Sequence, residues 1–101
     1  MKLSERMNKV HQRYAAGFLS ACIHPDRLAI INMLFETEGM FVWQIQEKLN
    51  LDQSLTSFNL KVLHQFGVLN RERKGKSVMY SINASTIEKI IKISDELYTD
   101  E

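Results

Sequence analysis

Cysteine, proline, glycine and histidine are all scarce in this chain of 101 residues: one, one, four and three, respectively. The single cysteine, Cys22, closes no disulfide within the chain and offers one thiolate where a structural zinc site needs several ligands, which excludes a disulfide-stapled fold. Four scattered glycines build no phosphate-cradling loop, and no Ser/His/Asp arrangement carries a catalytic signature, so no enzyme is expected. No apolar run approaches the roughly 18 residues that a membrane span needs. The opening MKLSERMNKVHQRY is interrupted by charge at Lys2, Glu5, Arg6, Lys9 and Arg13, unlike a secretory leader, and a cytoplasmic location is expected. A surplus of charge is also missing, the formal net value being +1.

What remains is 45% hydrophobic and 25% charged, the composition of one globular domain spanning residues 1–101. The small net charge conceals segments of opposite sign. Basic residues prevail over 1–27 and again from Asp52 to Tyr80, whereas acidic residues prevail over 28–51 and 81–101. Such segregation shapes a partner's view of the surface more than the total does.

Apolar residues at Leu3, Met7, Val10, Tyr14, Phe18 and Ala21 recur in steps of three or four and predict a first helix. His24-Pro25-Asp26-Arg27 breaks it, because proline disfavours helical geometry in the residue before it but suits the first turn of a new helix. The second helix is predicted from Pro25 to about Glu38, with Leu28, Ile31, Leu34 and Phe35 inward and Gly39 ending it. A third runs from Val42 to Leu49 and closes at Asn50, a residue tolerant of the left-handed conformation. Asp52 is placed to cap a fourth, Gln53 to Phe66, whose Thr56, Leu60 and Leu63 face inward. Two helices joined by Asn50-Leu51-Asp52 make a helix-turn-helix candidate.

After Gly67 the period falls to two. Val68–Arg73 and Ser77–Ile82 read as strands with Val78, Tyr80 and Ile82 on one face, turning at Lys74-Gly75-Lys76. Helical spacing returns at Ile87, Ile90, Ile91, Leu97 and Tyr98. The fold class is mainly α with a small β-hairpin, in the order α-α-α-α-β-β-α. One small domain cannot readily bury both terminal stripes, Leu3, Met7, Val10 and Tyr14 with Ile87, Ile90, Ile91 and Leu97, so a homodimer joined through the first and last helices is expected.

His24-Pro25-Asp26-Arg27-Leu28, Gln53-Ser54, Ser57, Leu60-Lys61-Val62-Leu63, Gly67-Val68-Leu69 and Lys74-Gly75-Lys76 stand in an order and spacing that resembles the ArsR/SmtB family of dimeric winged helix-turn-helix repressors. The resemblance covers nearly the whole chain. It implies that the fourth helix enters the major groove of double-stranded DNA, that the hairpin is a wing, and that the terminal helices form the dimer interface. The residues themselves suit those roles. Gln53, Ser54, Ser57, Phe58 and Lys61 fall on the outward side of the fourth helix; Asn59 is a candidate for bidentate pairing with adenine and Lys61 for phosphate. Arg71, Arg73, Lys74 and Lys76 against the single acid Glu72 make the hairpin a phosphate-binding candidate. Phe58 and Leu55 depart from the family's usual polar or small residues, and three roles are open to Phe58: touching a thymine methyl, packing on the wing, or joining the core.

Many members of the family release DNA on binding a metal or meeting an oxidant. Their Cys-x-Cys metal motif falls here on Phe41-Val42-Trp43, which cannot ligate, and residues 83–101 contain no histidine or cysteine for a site in the last helix. Neither metal site is expected, nor any cofactor, and no effector is indicated. His11, His24 and His64 are scattered, His24 belonging to the turn before the second helix. Cys22 reads as a small buried hydrophobe more readily than as a reactive thiol. The rival reading is a winged helix whose Leu55 and Phe58 form an apolar patch for another protein.

Overall fold

A computed structural model describes Gly17, residues 20–89 and Lys92. Helical residues 20–23 lead through His24 into α1 (Pro25–Phe35). Then come β1 (Met40–Phe41), α2 (Val42–Leu49), α3 (Gln53–Gln65), β2 (Leu69–Lys74) and β3 (Ser77–Ile82), with helical residues 84–89 after them. The expected interface residues Leu3, Met7, Val10, Tyr14, Ile90, Ile91 and Leu97 lie outside the described residues; Ile87 is described and half-buried.

Pro25 opens α1 at a position where its missing N–H costs nothing, and His24 Nδ1 accepts a hydrogen bond from the Asp26 N–H at 3.2 Å. The buried side of α1 is Ile30 and Leu34. Leu28 and Phe35, expected inward, are 43% and 61% exposed. At 100° per residue both lie more than a quarter turn from Ile30 and Leu34, and the core selects that i, i+4 pair. The helix also stops at Phe35, short of Glu38. The Thr37 hydroxyl donates to the Leu34 carbonyl at 3.0 Å and accepts from the Gly39 N–H at 3.3 Å, turning the chain outward.

Ending α1 early frees Met40 and Phe41 to form β1, a strand too short for alternation to reveal in the sequence. It pairs antiparallel with β3, Met40 opposite Tyr80 and Phe41 opposite Met79, and gives a three-stranded sheet in the order β1-β3-β2. β2 and β3 pair from Leu69 opposite Ile82 to Lys74 opposite Ser77. Gly75, at φ +64°, supplies the positive φ needed at the first position of the two-residue connection.

In α2 the Phe41 N–H donates to Gln44 Oε1 at 2.9 Å, and Asn50 closes the helix in the left-handed conformation at φ 52°. Asp52 caps α3 by accepting from the Leu55 N–H at 2.8 Å. Ile30, Leu34, Ile45, Leu60, Leu63, Val68, Leu69 and Tyr80, buried from three helices and the sheet, form one core with Met40.

Gly39 sits at φ +144°, and a Cβ there would stand 2.9 Å from Met79 Sδ and 3.5 Å from the Tyr80 carbonyl oxygen. Gly39→Ala should therefore destabilise the fold by about 1–3 kcal/mol through backbone strain and the displaced Met79. Urea unfolding measures this, and an unchanged midpoint would show that the start of β1 tolerates a side chain.

Candidate nucleic-acid interface

α2 and α3 meet at the turn Asn50-Leu51-Asp52, where the left-handed Asn50 reverses the chain and Asp52 restarts the helix. α3 then buries Thr56, Asn59, Leu60 and Leu63. Its outward side is fixed by that choice. Gln53, Ser54, Leu55, Phe58 and Lys61 are exposed and Ser57 is half-buried. Ser54, Phe58, Lys61 and Gln65 follow one another at i, i+4, i+7 and i+11, a single line along the helix. With 59% of its surface exposed, Phe58 is not a core residue.

Asn59 is the correction among the expected DNA contacts. It is 1% exposed, and its Oδ1 accepts from Arg27 Nε at 3.1 Å, while its Nδ2 has no partner. Buried beneath α3, its amide does not present itself to an adenine edge. The positional reason is that 56, 59, 60 and 63 are i, i+3, i+4 and i+7 on one face. The bond ties the first turn of α1 to the middle of α3. Burial pushes the thiol pKa of Cys22 up, and the nearby Arg27 charge offsets this only in part. A thiol so placed is a poorer nucleophile than a free one at neutral pH.

Cross-strand partners share a face of the sheet, so Arg71 opposite Tyr80 and Arg73 opposite Val78 lie on the side turned to the helices, and Lys74 opposite Ser77 lies on the other. All four wing cations, Arg71, Arg73, Lys74 and Lys76, are exposed. Arg73 Nε reaches the Gly75 carbonyl at 3.3 Å across the tip. Between α3 and the wing runs a cleft of about 130 Å³, with Ser57, Lys61 and Arg71 at its polar rim and Val42, Leu60, Val78 and Tyr80 as its apolar lining. Two cations and a hydroxyl converging on one cleft suit an anion, phosphate above all. Sequence reading placed these three residues on separate elements without bringing them together; the pairing of Arg71 with Tyr80 is what turns Arg71 toward α3.

Among the described residues no three His, Cys, Asp or Glu side chains gather to hold a metal, and no helix is long and apolar enough to cross a membrane. His24 serves as the cap of α1, and His64 stands edge-on to the Tyr80 ring at 6.4 Å between centroids.

A helix-turn-helix whose second helix stands outward beside a basic two-stranded wing is the winged helix-turn-helix architecture of DNA-binding proteins. Residues 24–71 match the bacterial regulatory protein, arsR family, pattern. The chain is 40% identical to the transcriptional repressor PagR of Bacillus anthracis, over 77% of this chain and 78% of that protein. It is 33% identical to the nodulation protein NolR of Rhizobium meliloti, over 86% of this chain and 70% of the relative. The crystal structure of NolR from Sinorhizobium fredii superposes with a TM-score of 0.72 at 30% identity, covering 97% of this chain and 94% of that one. The chain belongs to the ArsR family and is a DNA-binding transcriptional regulator.

Asn59→Ala should lower the unfolding free energy by about 1.5–3 kcal/mol, because a half-buried guanidinium loses its acceptor. Binding competition among duplexes of different sequence should show unchanged base preference. A selective loss at one operator position would mean that Asn59 leaves Arg27 to read DNA.

Proposed function

We propose that the protein acts as a homodimeric repressor in the cytoplasm, a single domain over residues 1–101 that binds an inverted-repeat operator. The observation that carries this reading is the outward side of α3 beside the basic wing, with Ser57 and Lys61 of the helix sharing one cleft with Arg71 of the wing. Gln53, Ser54, Ser57 and Phe58 are positioned to meet base edges, while Lys61, Arg71, Arg73, Lys74 and Lys76 offer charge to the backbone. Phosphate contacts give affinity and salt dependence; base contacts give discrimination. The repressor direction is supported by the resemblance to PagR, which is named a transcriptional repressor. No metal effector enters the reading, because Phe41 and Trp43 stand where the family's metal motif has thiolates.

The two functions separate by mutation. Gln53→Ala or Ser57→Ala should weaken binding to the correct operator by about 1–3 kcal/mol per lost base contact and weaken other sequences less. Arg73→Ala or Lys76→Ala should weaken all sequences alike and reduce the salt slope by about one per lost phosphate contact. Footprinting of these variants on a pseudo-palindrome with half-site centres ~34 Å apart, or a multiple of it, tests both together. Identical uniform losses from the two sets would rule out sequence reading by α3.

Dimerisation is supported by the apolar spacing of Leu3, Met7, Val10 and Tyr14 with Ile87, Ile90, Ile91 and Leu97. Light scattering at micromolar concentration should give twice the chain mass, and charged residues at positions 90 and 91 should reduce both association and operator binding. A monomer that still protects two half-sites would exclude this arrangement.

A further inference from the structure

Phe58 stands at the centre of the outward line of α3, one turn beyond Ser54 and one turn before Lys61, with most of its ring in water. Leu55, one turn earlier and 38% exposed, adds an apolar edge beside it. The core makes no use of this ring: the buried side of α3 is Thr56, Asn59, Leu60 and Leu63. Polar or basic groups flank the pair, with Ser54 and Lys61 on the same helix and Ser57, Lys61 and Arg71 at the neighbouring cleft. That setting matches a polyanion in charge and favours, as occupant of the apolar spot, an apolar group carried by nucleic acid.

The major groove offers one such group on its base edges, the C5-methyl of thymine. A phenyl ring donates and accepts no hydrogen bond. Pressed on the acceptors of guanine or the amino group of cytosine it removes water and replaces nothing, which penalises those bases. Pressed on a thymine methyl it buries apolar surface on both sides. We propose that Phe58, with Leu55 alongside, is a specificity-determining pair that reads the C5-methyl of a thymine in each operator half-site. The proposal rests on α3 being the groove-reading helix and adds the base it selects and the atom by which it does so.

The test starts from a library of random duplexes enriched on the intact protein and on Phe58→Ala. The unaltered protein should select a thymine at one position of each half-site, and the variant should relax at that position alone. In the selected duplex, each thymine is then replaced in turn by deoxyuridine, which removes the methyl and keeps every hydrogen-bonding group. One replacement should weaken the unaltered protein about three- to tenfold, the size expected for one buried methyl against a ring. The same replacement should leave Phe58→Ala unaffected, because the partner of the methyl is already gone. Phe58→Leu, apolar and also exposed, should recover part of the sensitivity to the methyl, and thermal melting of each variant checks that the fold is retained.

If the protein enriches a sequence but tolerates deoxyuridine at every thymine, the methyl contact is overturned while groove reading by α3 stands. If nothing is enriched, groove reading itself fails and the proposal falls with it. If Phe58→Ala enriches the same sequence with the same thymine, the ring serves another partner, such as a protein, and the proposal is overturned.

Discussion

The exposed face of the helix-turn-helix follows from which side of α3 is buried. Leu60 and Leu63 are wholly inside, together with Thr56 and Asn59 from the turns before them. A helix offers about 100° of rotation per residue, so committing 56, 59, 60 and 63 to the core leaves 54, 58, 61 and 65 no direction but outward. The cap strengthens that commitment at the start of the helix. Asp52 holds the Leu55 N–H with its carboxylate, and its carbonyl accepts both the Thr56 N–H at 2.9 Å and the Thr56 hydroxyl at 2.8 Å. Thr56 is thus buried with its polar atom satisfied, and the first turn of α3 cannot roll without losing those bonds.

Much of this was legible in the residues. Asn50 and Asp52 mark the turn because a left-handed position and an N-cap are chemically restrictive, and the change of period after Gly67 marks the hairpin. The failures have physical causes. α1 is apolar on more than one side, and periodicity groups Leu28, Ile31, Leu34 and Phe35 while passing over Ile30; only the sheet and α3 settle that Ile30 joins Leu34 in the core and that Leu28 and Phe35 stay exposed. β1 is two residues long and exists by pairing with β3, some forty residues away in the chain, so no local signal announces it. The polarity of Asn59 suggests a surface, although its position one turn from Leu63 and three residues after Thr56 is a core position. The feature that could have shown this is the arginine of the His24-Pro25-Asp26-Arg27 motif, a cation on a partly buried helix start in need of an acceptor.

The wing has two unlike faces. Arg71 and Arg73 share the helix-facing side with Tyr80 and Val78, and Glu72 and Lys74 occupy the other with Met79 and Ser77. Arg71 therefore belongs with Ser57 and Lys61 at the cleft, a charge held against apolar walls, whereas Lys74 and Lys76 project from an exposed tip. Charges at the tip act over about a Debye length, ~8–10 Å at physiological salt, and attract any duplex. The Arg71 charge, by contrast, stands beside the exposed side of α3, at a cleft it shares with Ser57 and Lys61.

The same helix is held from its buried side at two heights. At its middle, Asn59 accepts from Arg27 in the first turn of α1. At its end, the Phe66 ring lies against Gly17, where a Cβ would approach a ring carbon to 2.9 Å, so the absence of a side chain permits the contact. Asn59 and Phe66 are i and i+7, about two turns apart on one side, so the two contacts hold the helix along its length as well as at one point. The exposed side of α3, with Gln53 and Phe58, is thereby backed by contacts on its buried side to residues from the chain segment before the helix-turn-helix.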